Sequence, residues 1–331
     1  MPRPPAFWNS PPDRPAWVAR ALAPLAACYA LATARRVQGP GYAAKIPVIC
    51  IGNLNVGGTG KTPTTIALIE RLAQRGHRHV HIVSRGYGGR LAGPIRVDPT
   101  QHSSADVGDE PLLLAAFAPT WVAKDRATGV IAAEVAGAAA ILLDDGFQNP
   151  SVTKSLSIVV VDAAIGFGNG RCLPAGPLRE PVKVGLARAD LLLSIGADPD
   201  QARFITEWRK HITRPHLTGH LAPLKMGMDW QGLRALAFAG IGRPEKFFAT
   251  LRSEGADVVA TVALDDHQPL TDALMQRLTA QAKSLGAQLV TTEKDAIRLP
   301  NSYRDQVLTL PVRLQLQDWS PLDAALAKLG L

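Results

Sequence analysis

Disulfide chemistry has little to work with in this chain. Its 331 residues hold three cysteines, Cys28, Cys50 and Cys172, odd in number and far apart. That excludes a disulfide framework, points to a reducing compartment, and puts no two thiols at the spacing of a metal site. Aromatic residues make up only 5% of the chain and are not interleaved with dense basic clusters, so a stacking platform for nucleic acid is missing. No apolar run reaches the roughly 20 residues of a membrane span. The candidate, ALAPLAACYALATA from Ala21 to Ala34, is short and contains Pro24, which would kink or restart a helix. It begins late for a secretory signal, and no secreted-type pattern follows. There is no internal repeat and no low-complexity tract. An Asn-Lys-x-Asp motif is also absent, and Asp144-Asp145-Gly146 has the wrong spacing for D-x-x-G, which argues against a guanine-nucleotide switch.

What is present describes a folded protein: 47% apolar and 19% charged residues, in a length that suggests two domains. The net charge of +8 is uneven. Residues 1–45 carry Arg3, Arg14, Arg20, Arg35, Arg36 and Lys45 against Asp13 alone, more than half of the excess. Such an arm could meet nucleic acid, an anionic membrane or an acidic substrate. Its apolar stretch reads either as an interfacial membrane helix or as a helix on the protein's own core. The flanking arginines favour the membrane, with Val18, Leu22, Leu25 and Tyr29 as the inserted face.

Beyond the arm, apolar runs at 46–52, 79–84, 119–123, 139–144, 157–162 and 190–195 predict strands covered on both faces, hence a mostly parallel sheet. Helical patterns fall between them at 62–75, 109–117 and 125–136, so the fold class is α/β, doubly wound. The pattern blurs around 200–230. It resumes with strands at 233–240, 256–264 and 287–293, helices near 244–253 and 271–285, and a last helix after Pro321. The division expected is an N-terminal membrane-associating segment (1–38), a nucleotide-binding domain (39–225) and a smaller α/β domain (226–331), with a ligand cleft between the domains.

The stretch NLNVGGTGKTP, residues 53–63, lies between a strand and a helix start, the context that makes a phosphate-binding loop credible. Gly57, Gly58 and Gly60 let backbone N–H groups converge on phosphate oxygens. Lys61 supplies charge to the β and γ phosphates, Thr62 a hydroxyl for Mg²⁺, and the helix its positive end. Asn55, Val56 and Thr59 complete the loop. The full G-x-x-x-x-G-K-[ST] pattern would place glycine at position 55; Asn55 can adopt the left-handed backbone expected there. Strand 139–144 ends in Asp144-Asp145, the carboxylates expected to hold Mg²⁺ beside such a loop. Elsewhere Asp109-Glu110 reads equally as a helix cap, Asp265-Asp266-His267 as a turn, and Ser84-Arg85-Gly86-Tyr87-Gly88-Gly89 as a loop.

In order, GNLNVGGTGKTP (52–63), SRGYGG (84–89), GDEP (108–111), DDGFQ (144–148), GNGRCLPAGPLREP (168–181), AGIGRPEKFF (239–248), DHQ (266–268) and TEKDA (292–296) make a series. The series resembles the tetraacyldisaccharide 4′-kinases of lipid A biosynthesis over nearly the whole chain. That family also carries a residue other than glycine where Asn55 stands. The resemblance implies two α/β/α domains around a cleft, ATP and Mg²⁺ as cofactors, and a place on the cytoplasmic face of the inner membrane. The acceptor it implies is the 4′-hydroxyl of a tetraacylated glucosamine disaccharide 1-phosphate. It casts Asp109 as the base, aided by His267, with Lys61 and Thr62 on ATP and the metal. Asp144 and Asp145 would bind Mg²⁺, and Glu180 would join the metal shell. Arg126, Arg171 and Arg179 are candidates for transition-state charge or the 1-phosphate, by the fork geometry of guanidinium. No nucleic acid and no protein partner is inferred. The competing readings are a regulatory P-loop switch at the membrane and a kinase of a soluble small molecule; the second would leave the apolar basic arm without a role.

Overall fold

Strands that are apolar on both faces need cover on both, and this chain supplies it with helices. The computed structural model describes residues 4–225 and 227–331. Its strands are β1 (Val48–Gly52), β2 (Val80–Ser84), β3 (Ile95–Arg96), β4 (Thr120–Val122), β5 (Ala140–Asp144), β6 (Leu156–Asp162) and β7 (Leu191–Ile195). They continue with β8 (His216–Pro223), β9 (Arg234–Ala239), β10 (Asp257–Ala263), β11 (Gln288–Thr292), β12 (Val307–Leu310) and β13 (Val312–Leu316). The helices of the first half are α1 (Trp17–Ala21), α2 (Ala23–Val37), α3 (Lys61–Gln74), α4 (Ser104–Val107), α5 (Asp109–Leu114) and α6 (Arg126–Val135). Those of the second are α7 (Val182–Arg188), α8 (Asp198–Trp208), α9 (Pro244–Ser253), α10 (Asp272–Ser284), α11 (Glu293–Ala296) and α12 (Ser320–Ala327).

Nine strands form one sheet in the order β13-β8-β7-β6-β1-β5-β2-β4-β3, parallel except for the antiparallel pairs at its two edges. Four form a second, parallel sheet in the order β10-β9-β11-β12. Alternation along β1 shows how the large sheet is sandwiched. Ile49 and Ile51 pack with Ile66, Leu68 and Leu72 of α3 and with Leu322 and Leu326 of α12. Val48 and Cys50 face the other way, onto Val130 and Ala133 of α6, Leu186 of α7 and Ala26 of α2. Burying each such aliphatic side chain contributes about 1.5–3 kcal/mol, and the strand that carries the phosphate-binding loop sits in the buried middle of the large sheet. All three cysteines are free; burial pushes the Cys50 and Cys172 thiols up to about 11.

Two expectations change. The blurred stretch contains α8 and β8, and the chain returns to the large sheet at its end: β13 pairs with β8, and α12 covers α3. Residues 312–331 therefore leave the small sheet to which 226–331 was assigned. Their apolar signal is weak because β8 and β13 are the last two strands at one end of the sheet, where residues such as His220 and Gln315 meet solvent and Leu217 and Leu314 are the large side chains that are buried. The N-terminal arm is also divided differently. Leu22 and Tyr29 pack on the core, whereas Trp17, Leu25 and Leu31 point outward, 78%, 59% and 55% exposed. Among the described residues no helix is long and apolar enough to cross a membrane.

Candidate active site

The phosphate-binding loop joins the C-terminal end of β1 to α3. Gly60, the residue before the helix, has φ 96°, and a Cβ there would stand 2.6 Å from Ile195 Cδ1, so only glycine fits the turn. Gly57 and Gly58 have open space where a Cβ would be, which leaves the concave side of the loop free for an anion. Asn53, fully buried, shapes the loop from within by donating to Gly57 O and Thr59 Oγ1, both at 3.2 Å. Asn55 corrects the expectation of a left-handed residue. It lies in an extended bridge with Leu178, and its amide donates to Gly166 O at 3.1 Å. Val56 N donates to Pro177 O, so the loop is tied to the 166–178 segment at two points. Thr62 is half-buried in the first turn of α3.

Strand β5 pairs with β1 in parallel, Ile51 opposite Asp144, which delivers the two aspartates to the foot of the loop. Asp144 is buried; its Oδ2 accepts from Ser84 Oγ at 3.0 Å, and its Oδ1 has no hydrogen-bond partner. Burial, helped by the nearby Glu110 and Asp145 charges and opposed by Lys61, pushes its carboxyl up to about 7. Asp145 goes the other way. Burial works against its charge, but Lys61 at 3.6 Å and the Arg179 fork at 2.8 and 3.2 Å outweigh it and hold the carboxyl at about 2. An orphan buried carboxylate oxygen next to a lysine-held partner fits a cation at Asp144. Among the described residues no three His, Cys, Asp or Glu side chains are grouped to hold a metal by themselves, so the phosphates of a nucleotide would have to share the coordination.

The second half of the site spans both sheets. Gly108, with φ 88°, turns the chain so that Asp109 opens α5, packed under the Gly86–Tyr87 loop. Asp109 is buried, and its Oδ2 meets His267 Nδ1 at 2.7 Å across 158 residues of sequence. His267 follows β10 of the small sheet and has φ 61°. Among the described residues it shares a left-handed backbone with one other non-glycine residue, Asp145. Strained backbone at both a strand-end aspartate and this histidine is the pattern expected where function overrides local preference. Behind the pair, Arg298 Nε stands 3.5 Å from Asp109 Oδ2, while the rest of its guanidinium holds Gln268 O, Gly240 O and Asp295. Lys294 Nζ lies 3.3 Å from His267 Nε2 and 3.5 Å from Glu110.

A protein-family profile described as LpxK, tetraacyldisaccharide-1-P 4′-kinase, matches residues 18–330. The chain belongs to this family. It is 66% identical over 326 residues to the tetraacyldisaccharide 4′-kinase of Dinoroseobacter shibae, spanning 98% of this chain and 96% of that one. With the Jannaschia sp. kinase the identity is 60%, spanning 98% of each. Among solved structures, LpxK of Aquifex aeolicus in complex with ATP aligns with a TM-score of 0.75 at 25% identity, covering 94% of this chain and 99% of that one.

Within this 4′-kinase the remaining candidates have distinct surroundings. Arg126 is buried and donates to the carbonyl of Asp145 at 2.8 Å, which anchors the strained residue. Arg179 is engaged by the Asp145 carboxylate. Glu180 is buried with both oxygens taken by Arg188, at 2.6 and 2.9 Å, and one shared with Gln148. That commitment corrects its expected place in the metal shell: it braces the REP segment. Arg171 is half-buried, and its guanidinium makes no ion pair among the described residues. Arg243 and Lys246, in the AGIGRPEKFF motif, reach Asp162 at the end of β6, at 3.0 and 2.8 Å. These, with Lys294 and Arg298, sequence reasoning did not assign. The motifs holding Arg243, Lys246 and Lys294 were visible, but Asp162 and Glu110, which they meet, belong to the large-sheet half of the chain.

Proposed function

We propose that the chain uses ATP to phosphorylate the 4′-hydroxyl of a tetraacylated glucosamine disaccharide 1-phosphate at the cytoplasmic face of the inner membrane. As a member of the tetraacyldisaccharide 4′-kinase family it is an enzyme of lipid A biosynthesis. The observation that carries the chemical reading is the Asp109–His267 pair, held at 2.7 Å between the two sheets.

The phosphates of ATP lie in the concave side of the 53–60 loop, where backbone N–H groups and the end of α3 receive them. Lys61, steadied by Asp145, sets its charge against the phosphoryl group that moves. Thr62 and Asp144 would hold Mg²⁺, which would supply positive charge against the phosphates. Asp109 takes the proton of the 4′-hydroxyl as that oxygen attacks, while His267 and Arg298 both stand on its Oδ2. Arg171 and Arg179 are the guanidiniums available for the substrate's phosphate, Arg179 by exchange with Asp145.

The outward face of the arm supports the membrane assignment. Trp17, Leu25 and Leu31 stand exposed among the likewise exposed Arg20, Arg35 and Arg36, an apolar and basic surface suited to acyl chains under anionic headgroups. The test is transfer of label from γ-labelled ATP into the lipid phase with purified disaccharide 1-phosphate. Native protein should label the lipid, and Lys61→Ala should reduce labelling by about 10²-fold or more, since a preorganised charge at the transferring group contributes several kcal/mol. Label released only as inorganic phosphate, with lipid added, would overturn the proposal.

A further inference from the structure

Histidine can act on a neighbouring carboxylate in three forms, and which form is present depends on what each ring nitrogen meets. Around His267 the neighbours leave one choice. Nδ1 faces the Asp109 carboxylate at 2.7 Å, an acceptor, so Nδ1 must carry a proton. Nε2 faces Lys294 Nζ at 3.3 Å, a group with donors only, so Nε2 must present its lone pair. A second ring proton would have to point at an ammonium group. Asp266, whose Oδ1 lies 3.8 Å from Nε2 and 3.9 Å from Lys294, is farther from the ring than the lysine. Arg298 touches the Asp109 side of the pair, and the Tyr87 ring, 6.2 Å away, offers no charge.

We propose that Lys294 is a positioning residue which fixes His267 as the neutral, Nδ1-protonated tautomer, and that Glu110 holds Lys294 in place for it. The inference rests on the reading of Asp109 as the base. The role of Lys294 follows from the chemistry of the pair. With the ring proton aimed at Oδ2, the imidazole takes up that oxygen and leaves Oδ1 for the acceptor hydroxyl. A ring carrying its proton on Nε2 would set a lone pair against the carboxylate and push the two apart. Lys294 never touches the reacting atoms in this scheme; it acts through the imidazole. Glu110 completes the arrangement at 3.5 Å, and because it is the next residue after Asp109, one helix start carries both the base and the anchor of its orienter.

Two readouts test this on the full-length enzyme. Nitrogen NMR of protein labelled in its histidine rings distinguishes the two neutral tautomers and reports on His267 whether or not the enzyme turns over. Native protein should show the Nδ1-protonated form alone, and Lys294→Met should show a mixture. In turnover, Lys294→Met should lower kcat about tenfold or more, with KM for ATP and for lipid little changed, and Lys294→Arg should restore most of it. Glu110→Gln, a milder change, should move the tautomer signal in the same direction. Unchanged tautomers in Lys294→Met, or a raised lipid KM at constant kcat, would overturn the proposal; the latter would make Lys294 a substrate contact. Asp109→Asn separates the two ideas: full activity in that variant removes the base assignment and leaves the tautomer measurement standing.

Discussion

Removing Asp109 and His267 separately and together gives a sharper test than removing either. Asp109→Asn keeps the side chain's volume and loses its negative charge. A positioned base typically contributes about 10²–10⁴ in rate, so the loss of transition-state stabilisation should be about 2.7–5.5 kcal/mol. In this reading His267 acts through Asp109, since Nδ1 is on Oδ2 at 2.7 Å and Nε2 is turned to Lys294. His267→Ala should therefore lose less than Asp109→Asn, about 10- to 100-fold, and should lose nothing more once Asp109 is already asparagine. The coupling energy then equals the whole His267 effect, about 1.4–2.7 kcal/mol, within the range for side chains in contact. His267→Asn is the control for the backbone, because asparagine tolerates the left-handed conformation that φ 61° requires. Single-turnover rates at saturating ATP isolate the chemical step, and ATP affinity measured alongside should change little, since neither residue lines the phosphate loop. If His267→Ala costs the same factor in both backgrounds, the two residues act separately, and the pair across the cleft is not the catalytic unit.

Other expectations are simpler. Replacing Trp17, Leu25 and Leu31 with serine should leave the thermal midpoint nearly unchanged, because these side chains point away from the core, while greatly reducing co-sedimentation with anionic liposomes. The native protein should be partly released by salt, given roughly 1 kcal/mol of screened attraction per basic residue near the surface; equal sedimentation of both forms would mean the arm is no anchor. Asp323 of α12 pairs with Arg71 Nε at 3.0 Å on α3, and the Arg71 hydrogen bond, against a smaller opposing effect of burial, holds its carboxyl below the ordinary range. A lowered folded-state value means the stabilisation is present above the unfolded carboxylate range and is lost as pH falls through the folded value. Asp323→Asn should then cost about 0.5–1 kcal/mol in denaturant unfolding at pH 7, and less below about pH 4; a cost independent of pH would refute the pairing.

Much of the molecule was legible because its signals are local. Unbroken apolar runs such as AILLD and SIVVVD can be stable only as covered strands, and a strand followed by GGTGKT can hardly turn into a helix any other way. The parallel α/β class, the phosphate loop and the strand-end aspartates follow from such stretches of a dozen residues or fewer. Family resemblance, carried by motifs in series, supplied the roles that single motifs leave open.

Tertiary structure decided what depends on partners distant in sequence. Nothing near Glu180 announces that Arg188 and Gln148 will occupy its oxygens, and nothing near Asn55 says that its amide will be spent on Gly166. The arm's helical spacing placed Leu22 and Leu25 on one face; packing against the sheet turned Leu22 inward and left Leu25 outside. Strands β8 and β13, the last two at one end of the sheet, lacked a clear pattern because part of each meets water, and their pairing with the packing of α12 on α3 joined the end of the chain to the domain at its beginning. The Asp109–His267–Lys294 chain belongs to the same class. A hydrogen bond between residues 158 positions apart is set by how two sheets come together, and the free energy of that closure is spread over contacts no local window contains.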